Sequence, residues 1–366
     1  MMMSEGGADV GVVRRQSWIG VDYFQALRHN HIDSVEDLRR IPASISNILA
    51  VQWSKDGRQI AVSTSDGCIG IYHSYTGSCL QFITATTSSA PATSIRFRPQ
   101  ITSDSLQHVL AATYTNGHIA EYNYQTGAKI RHLVEPDNQL MALDYSRDAL
   151  MLVTAGKDRH IRVYDETTGS IIRTLSGHTN RIFSAKYHQD QDNIILSGGW
   201  DDTVRMWDIR ASPGIESSAL IYGPHICGDA IDMKGHEILT GSWTDKDQIQ
   251  IWDIRSISHP ITQLHTNTMV YTAQFSTIGP VRIGFGGTKP NEIQVIDRYG
   301  PDRTNIIDLG ANIFHRQTEG SYSSHFNPTT HEFVSAGAGN IIRVVDLQHG
   351  KCREIPAVGF RNVPKW

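Results

Sequence analysis

His178, Ser197 and Asp201 are the three side-chain types of a nucleophilic triad, in which a carboxylate orients an imidazole that takes the proton from a hydroxyl. That chemistry also needs an open cleft and converging N–H donors for the oxyanion. The sequence supplies no sign of either. No GxSxG elbow, no GxxxxGK[ST] phosphate loop and no HExxH occurs in the chain. Gly284, Gly286 and Gly287 cluster after a strand pattern and open no helix, which marks a bulge or a tight inter-strand turn. The 17 histidines and four cysteines form no ligand-spaced zinc set; His29 and His31, alternate in a polar segment, come nearest. The expectation is therefore a protein that is no enzyme, with no metal and no cofactor.

The elements that hold these residues repeat. Seven segments end in a short alternating run closed by an acidic or polar residue: IGIYH to His73, IAEYN to Asn123, IRVYD to Asp165, VRMWD to Asp208, IQIWD to Asp253, IQVID to Asp297 and IRVVD to Asp346. Their ends are 42 to 50 residues apart. A period near ~44 residues with strand signals at each pass is that of a propeller. In the fourth repeat the pattern predicts strands over Ile182–Tyr187, Ile194–Gly198 and Val204–Asp208, with a turn at Gly199–Asp202. One repeat earlier, Ser170–Leu175 follows the turn Thr168–Gly169 as a fourth strand. The same Thr-Gly turn recurs at Thr76–Gly77 and Thr126–Gly127, where glycine supplies a positive φ. Sheets of this size cannot stand alone and bury one another in a ring.

With Gly177–His178 opening the fourth repeat and Trp207–Asp208 closing it, the chain resembles the WD-repeat family over roughly residues 47 to 355. The resemblance implies an all-β fold: a seven-bladed WD-repeat β-propeller of four-stranded antiparallel blades. It also implies that His178, Ser197, Asp201 and Trp207 form a buried hydrogen-bond network inside one blade. By register, Asn47, Gln139, Arg181 and Met269 begin innermost strands, and Lys157 and Trp200 stand just before turn residues. In WD-repeat proteins such positions rim the central channel on the usual binding face. Trp200 beside Arg181 is a combination typical of binding hot spots, and the two side chains can stack.

Two boxes, Trp207-Asp208-Ile209-Arg210 and Trp252-Asp253-Ile254-Arg255, resemble those of propellers that act as substrate receptors of cullin-RING ubiquitin ligases. There the arginine meets the ligase adaptor, a role suited to a planar fork of donors. Asp208, Arg210, Asp253 and Arg255 are thus adaptor-docking candidates, although Thr244–Lys246 lengthens the turn before the second box.

The ring would occupy 47–358, with 1–46 an extension and 359–366 a tail. Two segments compete for the outermost strand of the last blade, Lys351–Ile355 and Arg39–Ile41, and the C-terminal one is preferred. Ser34 and Asp37 resemble a capping box for a short helix in the extension. The chain has 366 residues, and 33 basic against 37 acidic side chains leave a net charge of −4, with Arg14–Arg15 and Arg39–Arg40 as isolated pairs. No basic stripe for nucleic acid follows from this. Met1–Asp9 is no secretory signal, and no apolar run reaches the roughly 20 residues of a membrane span. Cys68, Cys79, Cys227 and Cys352 lie far apart without CxxC spacing, as in a reducing compartment, so cytoplasm and/or nucleus is expected. The function expected is a scaffold that binds one or more proteins or peptides. The alternatives are a ligase receptor and a reader of modified peptides, which would need an aromatic cage where the sequence shows only Trp200.

Overall fold

The structure, a computed structural model, describes residues 47–84, 90–99, 108–212, 217–289, 291–299, 306–308, 320–338 and 341–357. The extension with its Ser34 helix signal, the competing strand Arg39–Ile41 and the C-terminal tail lie outside the described residues. The described residues form twenty-eight strands, numbered here in order from β1 (Ile48–Trp53) to β28 (Lys351–Pro356). They make seven sheets, each of four consecutive antiparallel strands. The fourth sheet contains β13 (Ile182–Tyr187), β14 (Ile194–Gly199), β15 (Thr203–Asp208) and β16 (Ala219–Tyr222), within a residue of the pattern's prediction for the first three.

The innermost strands pack on one another all the way round: β1, β5 (Ala92–Phe97), β9 (Leu140–Tyr145), β13, β17 (Ile231–Lys234), β21 (Met269–Phe275), β25 (Ser321–Phe326) and back to β1. Alternate residues of each middle strand face the neighbouring blade, so the core lies between sheets. One such cluster joins the ends of the chain, with Ile48, Val51, Trp53 and Val62 from the first blade against Val334, Ile342, Val344 and Ile355 from the last. In the sixth blade the glycine cluster lies inside β22 (Arg282–Thr288), opposite a bulge in β21. A Cβ on Gly284 would meet the Phe333 ring at 2.4 Å, so glycine there admits the seventh blade.

β28 pairs along β27 (Ile341–Asp346), so the last sheet takes its outer strand from the C-terminal candidate. Each described blade is thus built from one continuous stretch, and closure rests on contacts between blades. Trp53 N donates to His325 Nδ1 at 3.1 Å and Val51 N to Ser323 Oγ at 3.0 Å. Asn327 Nδ2 adds a bond to Gly57 O at 3.2 Å.

His325 can accept from Trp53 only when neutral. Burial, then the positive Arg96 and Lys186, push its pKa down to about 3, against a pull upward from Asp229. Between an unfolded value near 6.5 and that figure, the unfolded chain binds the extra proton. Stability from this group is therefore complete above pH 6.5 and falls as the pH drops toward 3. Going from pH 7 to pH 5 should cost about 2 kcal/mol through His325 alone. Denaturant unfolding of wild type and His325→Asn at both pH values checks this. The asparagine keeps an acceptor near the Nδ1 position and should lose that part of the pH dependence; an unchanged pH slope would show that His325 is not the titrating group.

Candidate functional site

One end of the ring is formed by the starts of the inner strands and the turns between second and third strands. A repeated backbone bond builds it. Ser65 N donates to Asn47 O, Lys157 N to Gln139 O, Trp200 N to Arg181 O and Trp243 N to His225 O, all at 2.8 to 3.0 Å. Asn47, Gln139 and Arg181 thus share a rim position in successive or nearby blades, and Met269 begins β21 at the same end. Lys157 is exposed, while Asn47, Gln139, Arg181, Trp200 and Met269 are half-buried.

The rim is aromatic on one side. Arg181 lies 4.8 Å from the Trp200 ring centre as a cation–π stack. From there the rings follow one another across four blades. Phe183 and Trp200 are 5.1 Å apart, Trp200 and His225 6.1 Å in near-parallel stacking, and His225 and Trp243 6.4 Å. Trp243 and Tyr271 stand 6.4 Å apart, and Tyr271 meets Tyr322 edge-on at 5.6 Å. The sequence register points to Trp200 alone. The missing signal was present: Gly241-Ser242-Trp243 repeats Gly198-Gly199-Trp200 one blade later, masked by the longer turn Thr244–Asp247.

The segment Gly223–Asp229 explains why the arc is continuous. The fifth blade's inner strand is only Ile231–Lys234, and the chain before it dips toward the channel. His225 Nδ1 pairs with Asp202 at 2.6 Å, and Trp200 Nε1 donates to Cys227 Sγ at 2.9 Å. Gly228 passes so close to Tyr271 O that a Cβ would sit 2.4 Å from it. Asp229 then reaches across the channel to Arg96 at 2.8 Å and pairs with Lys186 of the adjacent blade at 3.0 Å. Burial alone would raise the Asp229 pKa, but these two cations outweigh it and hold the carboxyl well below the usual range. At Asp144 burial outweighs the pull of Arg96 at 3.3 Å and of the Tyr187 N–H, and the pKa is raised. Above this cluster the channel encloses about 40 Å³, room for no more than a few waters. Below it opens a polar cavity of about 290 Å³ lined by Gln52, Asp144, Asp232, Gln274 and His325.

The triad-like residues come together, but inside the blade. His178 Nδ1 is 2.8 Å from Asp201 Oδ2, His178 Nε2 is 2.7 Å from Ser197 Oγ, and Trp207 Nε1 donates to the same Ser197 oxygen at 2.8 Å. Ser197 is 0% exposed, so its hydroxyl has no approach for a substrate. Burial opposes ionisation of Asp201, yet bonds from His178 and Thr203 hold its pKa down to about 2. The third blade reaches the same end with different residues. There buried Glu135 stands where His178 would, and it accepts from Tyr164 at 2.9 Å, Arg162 at 2.6 Å and Asn138 at 2.8 Å.

Asp208, Arg210, Asp253 and Arg255 lie on the opposite face, where third strands end. In both boxes the arginine Nε and Nη2 fork onto its own aspartate at 2.9 and 2.6 Å. The Arg210 hydrogen bonds draw Asp208 down to a pKa of about 2. The guanidinium side chains are 65% and 67% exposed, so neither arginine is buried, while Trp207 and Trp252 of the same boxes are. The structure therefore separates the predicted residues into three places: the aromatic rim, a blade interior and the far face. Among the described residues no group of three or more His, Cys, Asp or Glu is placed to hold a metal ion, and no helix is long and apolar enough to cross a membrane.

Removing the shared oxygen of the blade network tests its structural role. Ser197→Ala leaves the Trp207 N–H and one His178 nitrogen unpaired in the interior, which should lower the unfolding free energy by about 1–3 kcal/mol in denaturant titration. A change within a few tenths of a kcal/mol would show that the network holds nothing in place.

The repeat pattern and this geometry agree with comparisons to known proteins. The family model for the WD domain, G-beta repeat, matches residues 127–165 and 169–208, and that for the anaphase-promoting complex subunit 4 WD40 domain matches 34–103. The mitotic checkpoint protein bub-3 of Caenorhabditis elegans is 26% identical over 168 residues, which span 42% of this chain and 46% of that protein. Seven four-stranded blades closed in a ring, with these matches, make the chain a member of the WD-repeat β-propeller family.

Proposed function

We propose that this propeller is a protein-interaction scaffold whose partner docks on the rim that carries the aromatic arc. Protein binding is what WD-repeat propellers offer as a class, and the arc singles out one face for it. The single observation that carries this reading is the unbroken run from Phe183 to Tyr322 around the channel mouth. Large rings anchored by their neighbours bury much area at small entropic cost, which is why Trp, Tyr and Arg dominate binding hot spots. The cross-channel ion pairs below give the rim a rigid floor, so little order is lost on binding.

A second reading concerns the opposite face. Two boxes in adjacent blades present the same forked Arg–Asp geometry, both exposed, as docking to a cullin-ligase adaptor would require. Each guanidinium keeps donors free of its own aspartate. Under this reading the rim holds the protein to be degraded and the far face holds the ligase.

Affinity capture from cells with mass spectrometry separates the two, using wild type, a Trp243→Ala/Tyr322→Ala variant and an Arg210→Ala/Arg255→Ala variant, each checked for cooperative unfolding. Loss of a recovered protein with the first variant, but not the second, is the expected result. Selective loss of a ligase adaptor with the second variant would establish the second reading. Identical recoveries from all three would refute both.

A further inference from the structure

At the end of the channel away from the aromatic arc, the polar cavity is walled by one side chain from each blade. On one side stand Gln274, His325 and Gln52, from blades six, seven and one. Facing them are Asp144, Lys186 and Asp232, from blades three, four and five, with Arg96 of the second blade beside Asp144. Exposed Arg147, Gln189 and Thr277 mark the mouth, on the face that carries the two arginine boxes. The volume of about 290 Å³ is nearly twice the roughly 150 Å³ that holds a benzene ring in an engineered apolar cavity.

These walls carry hydrogen-bonding capacity that the fold itself leaves over. Gln274 is 6% exposed, and among the described residues its amide has no partner, although it is penultimate in β21 as Gln52 is in β1. Leaving a buried amide without a protein partner is costly, so its presence here calls for a use. Gln52 Oε1 accepts from Phe97 N at 3.0 Å, which leaves the Gln52 NH₂ group to the cavity. His325 Nδ1 accepts from Trp53 N at 3.1 Å, so the imidazole proton sits on Nε2 and is left over in the same way.

Charge narrows the kind of ligand. Arg96 pairs with Asp144 and Asp229, and Lys186 pairs with Asp229, so both cations of the wall are committed. Asp232 is in no ion pair among the described residues. Its oxygens accept from the N–H groups of Met233 and Phe275, and burial raises its pKa as it does that of Asp144. The wall thus has no spare positive charge for an anion. Opposite the carboxylates stand N–H donors, which repel a cation. A ligand that suits both sides accepts from one and donates to the other, and a hydroxyl does both with a single atom.

We infer that this cavity binds a neutral ring-shaped polyol, a monosaccharide or a cyclitol, whose hydroxyls accept from Gln52, Gln274 and His325 and donate to Asp144 and Asp232. The site is separate from the docking face at the aromatic rim and adds small-molecule binding to the scaffold.

The test uses the full chain with ¹⁵N-labelled histidine, and the His325 ring signals are assigned as those lost in His325→Asn. Methyl α-glucoside, methyl α-mannoside and methyl α-galactoside probe for a monosaccharide and myo-inositol for a cyclitol. Inorganic phosphate, methylammonium and serine stand for an anion, a cation and a zwitterion. At least one neutral probe should shift the His325 Nε2 signal saturably and bind more tightly than every charged probe. Gln274→Met replaces the amide with an apolar chain of similar length and breaks no hydrogen bond. That variant should unfold at or above the wild-type denaturant midpoint and bind the same probe at least about fivefold more weakly. Gln274→Ala, which only removes atoms, should lose binding to the same degree. No shift with any neutral probe, tighter binding of a charged one, or binding undiminished in both Gln274 variants would overturn the inference.

Discussion

Every blade of this ring presents the edge of a sheet to the channel, and the backbone N–H groups along that edge have no neighbouring strand to pair with. The structure depends on how they are satisfied. A side chain near the end of an inner strand, the penultimate residue in three of four cases, reaches forward to the last N–H of the next: Gln52 accepts from Phe97 at 3.0 Å, Asp144 from Tyr187 at 2.9 Å, Asp232 from Phe275 at 2.8 Å, and His325 from Trp53 at 3.1 Å. These bonds set the spacing of the blades. The His325 contact also closes the circle, because the described blades exchange no strand. Where the penultimate residue is Arg96 or Lys186, which cannot accept, the side chain turns inward and meets Asp229. Spacing around the ring and crossbracing through its centre are thus two outcomes of one constraint.

Buried ion pairs are weak evidence for stability, since desolvation offsets much of the attraction. Their worth here is positional. Asp229 ends the segment Gly223–Asp229, and fixing it to Arg96 across the channel and to Lys186 of the adjacent blade fixes His225 and Cys227 as well. Those two residues orient Trp200 and carry the arc on to Trp243. A polar cluster in the channel therefore governs a largely buried aromatic run at the rim.

The repeat period, the strand edges of the fourth blade and the position of the rim residues were legible in the sequence, because each follows from alternation and turn residues within a single repeat. The His178 network was legible through likeness to the family, and its atoms do meet. What escaped depends on contacts between repeats. Glu135 cannot be recognised as the partner of Tyr164 and Arg162 from a pattern that expects histidine. Asp229 has no local signal, since its cations come from other blades. Trp243 had a signal, but the turn inserted after it hid the register. Repeat logic finds blades; it does not find what joins them.

The central claim is that partners meet this propeller on the rim of the fifth blade and its neighbours. Placing a photo-crosslinking residue at Asp245 on that rim, and in a separate chain at Ser256 on the opposite face of the same blade, tests it most directly in cells. The account predicts a discrete protein adduct from position 245, reduced when Trp243 is also changed to alanine. Adducts from position 256 alone would contradict it and make the face of the two arginine boxes the working surface.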